Sequence, residues 1–93
     1  MPKVKPAPAF LTQLKTALID GLGVSKIKAV VQAEPVPTTH LYRVTVVAPQ
    51  FKVLKHSERQ SLVWRIAERA LSPDDQLRIS MILTLTRDEA AGK

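Results

Sequence analysis

The 93-residue chain has no cysteine. That removes disulfides, thiolate zinc sites, self-ligated iron–sulfur clusters and cysteine nucleophiles together. Aromatic residues make up only 4%, and no two of them alternate along an extended segment, which argues against a base-stacking platform. No apolar run approaches the ~18–20 residues of a membrane span. There is also no continuous apolar stretch behind the basic start Met1-Pro2-Lys3-Val4-Lys5 that would read as a secretory signal. A cytoplasmic, non-membrane protein is the expectation. Acidic residues are scarce in one half: residues 1–57 hold eight Lys and Arg against Asp20 and Glu34, which is the whole net charge of +6, whereas residues 58–93 are balanced. A basic half invites an acidic partner: nucleic acid, a membrane surface or an acidic protein face. It is equally compatible with a solvated surface of ordinary charge.

What is present is one small domain's worth of core, 45% hydrophobic. Three prolines within the first eight residues read as an extended arm over 1–9. Phe10, Leu11, Leu14, Leu18 and Ile19 recur at helical spacing over Ala9–Leu22, and Gly21 or Gly23 is expected to end that helix. Val24–Gln32 alternates, with Ile27, Ala29 and Val31 on one side and Lys26, Lys28 and Gln32 on the other, as a half-buried strand does. Glu34–Thr39 carries two prolines and reads as a loop. His40–Ala48 is β-branched and aromatic, placing Tyr42, Val44 and Val46 on one face. A second helix is expected from Ser57, with Ser57 and Gln60 forming a capping box and Leu62, Val63, Ile66, Ala67 and Ala70 its buried stripe. Ser72–Asp75 reads as a turn or a very short helix. Leu77–Thr86 is expected as a strand with Leu77, Ile79, Met81, Leu83 and Leu85 facing the core, and Arg78, Ser80, Thr84 and Thr86 opposite, an alternation that Ile82 interrupts. Arg87–Lys93 reads as a frayed tail.

The predicted fold class is α+β: a two-layer sandwich with helices on one face of a three-stranded mixed sheet, in the order α-β-β-α-(short turn or helix)-β, occupying residues 10–88 with a tail over 89–93. The other face of the sheet is expected to lie open and basic, displaying Lys26, Lys28, Arg43, Thr45, Arg78, Ser80 and Thr84.

This element order is that of type II KH-like domains. Tyr42–Phe51 (YRVTVVAPQF), followed by Arg59-Gln60-Ser61-Leu62-Val63-Trp64, resembles the BolA-like family, with the family's interval between Phe51 and Arg59. Leu83–Glu89 is similar to the family's Thr-rich last strand and its closing Thr-x-x-Glu. The resemblance covers roughly residues 10–90 and implies a small regulatory protein that binds proteins, a monothiol glutaredoxin-like partner among them, with a link to transcriptional control. The chain departs from the pattern at Val53, where the family has Gly, at Gln60 and Ser61, and at Arg78, which stands where the family has a cluster-ligating His. Arginine does not ligate iron. His40, near the loop that carries the family's second ligand, is the one metal candidate, and a lone imidazole makes no site. No cofactor is expected.

Lys52, Lys55, His56 and Arg59, at the start of the second helix, form the best basic patch for nucleic acid or a protein partner, since a helix N-terminus favours phosphate. The glycines Gly21, Gly23 and Gly92 do not form the Gly-x-x-Gly clamp of KH domains. Neither paired carboxylates nor a Ser–His–carboxylate arrangement is visible, so an enzyme is not expected. The reading is a protein-binding regulatory module, alternatively a small basic nucleic-acid-binding protein, as a monomer or weak dimer. Trp64 reads as the rim of the core or as an exposed partner anchor.

Overall fold

The structure, a computed structural model, describes residues 8–92; most of the Pro-rich segment over 1–9 lies outside them. The elements run α1 (Ala9–Val24), β1 (Val30–Pro35), β2 (Tyr42–Val47), a 3-10 helix (Pro49–Val53), α2 (His56–Ala70), α3 (Pro73–Gln76), β3 (Ile79–Leu85) and α4 (Arg87–Ala90). The sheet order is β1-β2-β3, with β1 antiparallel and β3 parallel to β2. This is the α+β arrangement with a three-stranded mixed sheet that the patterning predicts. No helix among the described residues is long and apolar enough to cross a membrane.

α1 buries Phe10, Leu11, Leu14, Leu18 and Leu22, one stripe at helical spacing. Ile19, expected on that stripe, is 47% exposed. The glycines do not stop the helix. Gly21 lies inside it, where a Cβ would fall 2.9 Å from Ile66 Cδ1 of α2, so its missing side chain lets the two helices approach. The stop comes at Lys26, whose φ is 62°. Its N–H donates to Gly23 O (2.9 Å), and Ile27 N–H donates to Leu22 O (3.0 Å). These two bonds, with buried Ile27 against buried Leu22, are a Schellman closure in which lysine holds the left-handed position that glycine usually takes.

Because α1 runs through Val24, β1 starts later than expected, at Val30, and extends through Pro35. The inward parity is as predicted: Val31 is buried, and Ala29 and Ala33 pack against the core. α2 starts one residue earlier than Ser57. Its third residue is therefore Glu58, whose carboxylate accepts the Lys55 N–H at 2.9 Å. A carboxylate suits the positive end of the helix dipole better than a neutral amide. The expected Ser57–Gln60 box does not form, which releases Gln60 for another role. α3 is capped by Ser72 Oγ, which accepts the Asp75 N–H.

β3 carries the largest departure. Tyr42 is opposite Ile79 but Arg43 is opposite Met81, so Ser80 is an extra residue. A one-residue bulge exchanges the faces of everything beyond it. Ile79 faces the core before the bulge; Ile82 and Thr84 face it after, at 3% and 0% exposure. Met81, Leu83 and Leu85, expected inside, lie outside. Arg87–Ala90, expected as tail, form a helical turn capped by Thr86, whose Oγ1 accepts the Glu89 N–H.

Candidate functional site

The outer face of the sheet follows directly from the register. Val30, Val47 and Leu85 make one row across the three strands, Gln32, Thr45 and Leu83 the next, and Glu34, Arg43 and Met81 the third. Val30 is 59% exposed and Met81 45%; Thr45, Val47, Leu83 and Leu85 are partly exposed. The charges on the face are Glu34 and Arg43, which pair with each other at 3.2 Å. The open face is therefore neutral and mixed, five of its nine residues apolar, rather than basic.

Of the residues expected there, Arg43 and Thr45 are in place. Lys26 and Lys28 precede the strand and sit at its starting end. Ser80 lies in the bulge, its hydroxyl donating to Tyr42 O at 3.2 Å. Thr84 is buried. Arg78 precedes β3, and its guanidinium stacks 4.5 Å from the Phe10 ring centroid and 5.8 Å from that of Tyr42. It therefore belongs to the helix side, where it covers the start of α1.

The start of β1 and the ends of β2 and β3 share one end of the sheet. The 3-10 helix and the first turn of α2 follow there, and the Lys28 N–H donates to Gln50 Oε1 of that 3-10 helix. Exposed Lys26, Lys28, Lys52, Lys55 and His56 are thus gathered at this end, joined by Arg87, which the sequence reading left in the tail. Lys52 and Arg87 line a hollow of about 310 Å³ with Pro49, Thr86 and Asp88. His40 is exposed in the loop before β2, at the other end. Among the described residues no group of three or more His, Cys, Asp or Glu is placed to hold a metal ion.

Arg59 does not belong to the exposed cluster. It is 7% exposed. Nη1 donates to Glu89 Oε1 at 2.8 Å and to Thr84 O at 3.4 Å, and Nε donates to Leu54 O at 3.2 Å. The guanidinium lies 5.8 Å from the ring centroid of fully buried Phe51. It is a tie between α2, β3 and α4 rather than a phosphate contact. Glu89 is held below the usual carboxylate range, first by the Thr86 backbone N–H and then by the Arg59 side chain. The start of α2 is likewise less open to phosphate than expected, because Glu58 already occupies the Lys55 N–H.

Gln60, freed from capping, donates from Nε2 to Ile82 O at 2.8 Å and to Thr84 Oγ1 at 3.1 Å. Trp64, one turn on, is partly buried against the core, on the rim rather than out as an anchor. The apolar outer face was missed by sequence reasoning, although Ile82, the residue that broke the alternation of β3, was the signal of the bulge. Comparison with family models, with curated proteins and with solved structures finds no match.

Proposed function

We propose that the chain is a small protein-binding module, a regulatory adaptor of BolA-like type. One observation carries the reading: the outward sheet face holds five apolar residues, Val30 and Met81 exposed and Val47, Leu83 and Leu85 partly exposed. Contiguous exposed apolar surface of this kind marks interaction sites. The observed element order and the mixed sheet fit the fold that the resemblance implies. A glutaredoxin-like partner remains the one that the resemblance favours, bound without a shared cluster, since Arg78 stands at the ligand position. The test is capture on immobilised protein, compared with Leu83→Lys, which places a charge in the middle of the face. The same captured proteins on both surfaces would sink the reading.

A second reading, a basic nucleic-acid-binding protein, draws on the cations Lys26, Lys28, Lys52, Lys55 and Arg87, with His56 beside them, at one end of the sheet. Anisotropy of a labelled duplex at two salt concentrations tests it. Binding whose logarithm falls steeply with the logarithm of salt would move this reading ahead.

A further inference from the structure

The two edges of the sheet are treated differently. In an antiparallel ladder, bonded pairs alternate along the strands. The Val36 N–H donates to Leu41 O (2.9 Å), next to the Pro35–Tyr42 pair. The residues of β1 whose backbone groups face β2 are therefore Val36, Glu34, Gln32 and Val30. The other edge of β2 agrees, since Tyr42 N–H donates to Arg78 O and Ala48 N–H to Leu85 O of the β3 segment. Val31, Ala33 and Pro35 then point their backbone groups away from the sheet. Pro35 has no N–H to leave unpaired, which is why proline is tolerated at this place in a strand.

On β3 the same alternation turns Ile82 and Thr84 outward, and α2 covers their carbonyls: Gln60 takes Ile82 O and Arg59 takes Thr84 O. Among the described residues no side chain covers β1 in this way, and none bonds the N–H or C=O of Val31 or Ala33. An uncovered edge is a template for another strand.

Charge says which kind of strand. Lys26 and Lys28 are exposed just before β1, and neither joins an ion pair among the described residues. At the far end, Glu34 is neutralised by Arg43. We infer that the free edge of β1 receives an extended acidic peptide segment of a partner protein. Its main chain would bond to Val31 and Ala33, and its carboxylates would lie beside Lys26 and Lys28. Main-chain bonds of this kind supply affinity, and the flanking charges supply selection. The inference rests on the protein-binding reading but uses the strand edge rather than the open face.

The probe is a fluorescein-labelled decapeptide alternating glutamate and valine, titrated into the full chain at ~50 and ~150 mM salt. It is expected to bind, more tightly at low salt, and its lysine–valine counterpart at least about tenfold more weakly. Ala33→Pro repeats the placement of Pro35, removing an outward N–H and no ladder bond, and is expected to weaken binding at least about tenfold. Absence of binding, or binding indifferent to Ala33→Pro, overturns the proposal. So does pairing of β1 with a second copy of this chain that the acidic peptide does not displace. Should Ala33→Pro not fold, hydrogen exchange decides on the unaltered protein. Slowing of the Val31 and Ala33 amides by the peptide supports the edge; unchanged exchange overturns it. If the peptide fails while Leu83→Lys still abolishes capture, the edge proposal falls and the protein-binding reading stands.

Discussion

Arg59 in the first turns of α2 and Glu89 in α4 meet at 2.8 Å across 30 residues of sequence. That contact brings a four-residue helix, too short to hold itself in water, onto the end of the sheet. Arg59 also satisfies two backbone carbonyls, so its removal is a structural loss rather than a surface change. Arg59→Ala is expected to lower stability by about 2 kcal/mol, the scale of stranding buried acceptors. In a domain of this size that lowers the thermal midpoint by roughly 8–16 °C. Arg59→Lys keeps the charge without the planar fork and should fall between the two. Thermal unfolding checks both, and a wild-type midpoint in Arg59→Ala would show that the contact contributes nothing.

The same pair sets a pH dependence. Glu89 is held below its ordinary value of 4.5, so the unfolded chain binds a proton more readily than the folded one through that range. Stability from this group is therefore fully present above about pH 4.5 and is lost as pH falls through the depressed folded value. Denaturant unfolding of the protein and of Glu89→Gln, followed from about pH 7 down to about pH 3, should show a difference that shrinks with acid. A difference that stays constant across the range would mean that the carboxylate's charge is irrelevant.

Gln60 acts on a strand edge rather than on a helix end. Gln60→Ala leaves Ile82 O without its partner and is expected to cost about 1 kcal/mol. It should also open the β3 edge, so the variant is expected to self-associate at concentrations where the parent chain does not. Light scattering and urea unfolding give the two readouts. Loss of helix content at the start of α2, with β3 unaffected, would return Gln60 to a capping role.

The sequence made legible what depends on local pattern. The recurrence of Phe10, Leu11, Leu14 and Leu18 announces α1, and Tyr42, Val44 and Val46 announce the inner face of β2, because burial period and backbone period coincide there. What was not legible depends on partners distant in the chain. The alternation from Leu77 to Leu85 points those leucines inward, but the unpaired Ser80 slips the register and exposes Met81, Leu83 and Leu85 instead. Arg59 reads as a surface cation in its own segment, and only the arrival of Thr84 and Glu89 makes it a buried tie. Of the basic candidates, Lys52, Lys55 and His56 are neighbours in the sequence, and the antiparallel pairing of β1 with β2 brings Lys26 and Lys28 to the same end.

Lys26 is a position where a local rule is broken outright, as is Thr38 at φ 64°. A lysine at φ 62° carries a Cβ clash of roughly 1–2 kcal/mol, held in place by the Schellman bonds and by the burial of Ile27 against Leu22. Glycine removes the clash, but it also gives the unfolded chain more freedom, which offsets roughly 0.4–1 kcal/mol of the gain. Lys26→Gly is therefore expected to raise stability by about 0.5–1 kcal/mol, read as a higher denaturant midpoint with an unchanged slope. Lys26→Ala keeps a Cβ and tests the cause, since it loses the charge without relieving the strain. If alanine stabilises as much as glycine, the gain comes from removing a charge at the crowded basic end and not from the backbone.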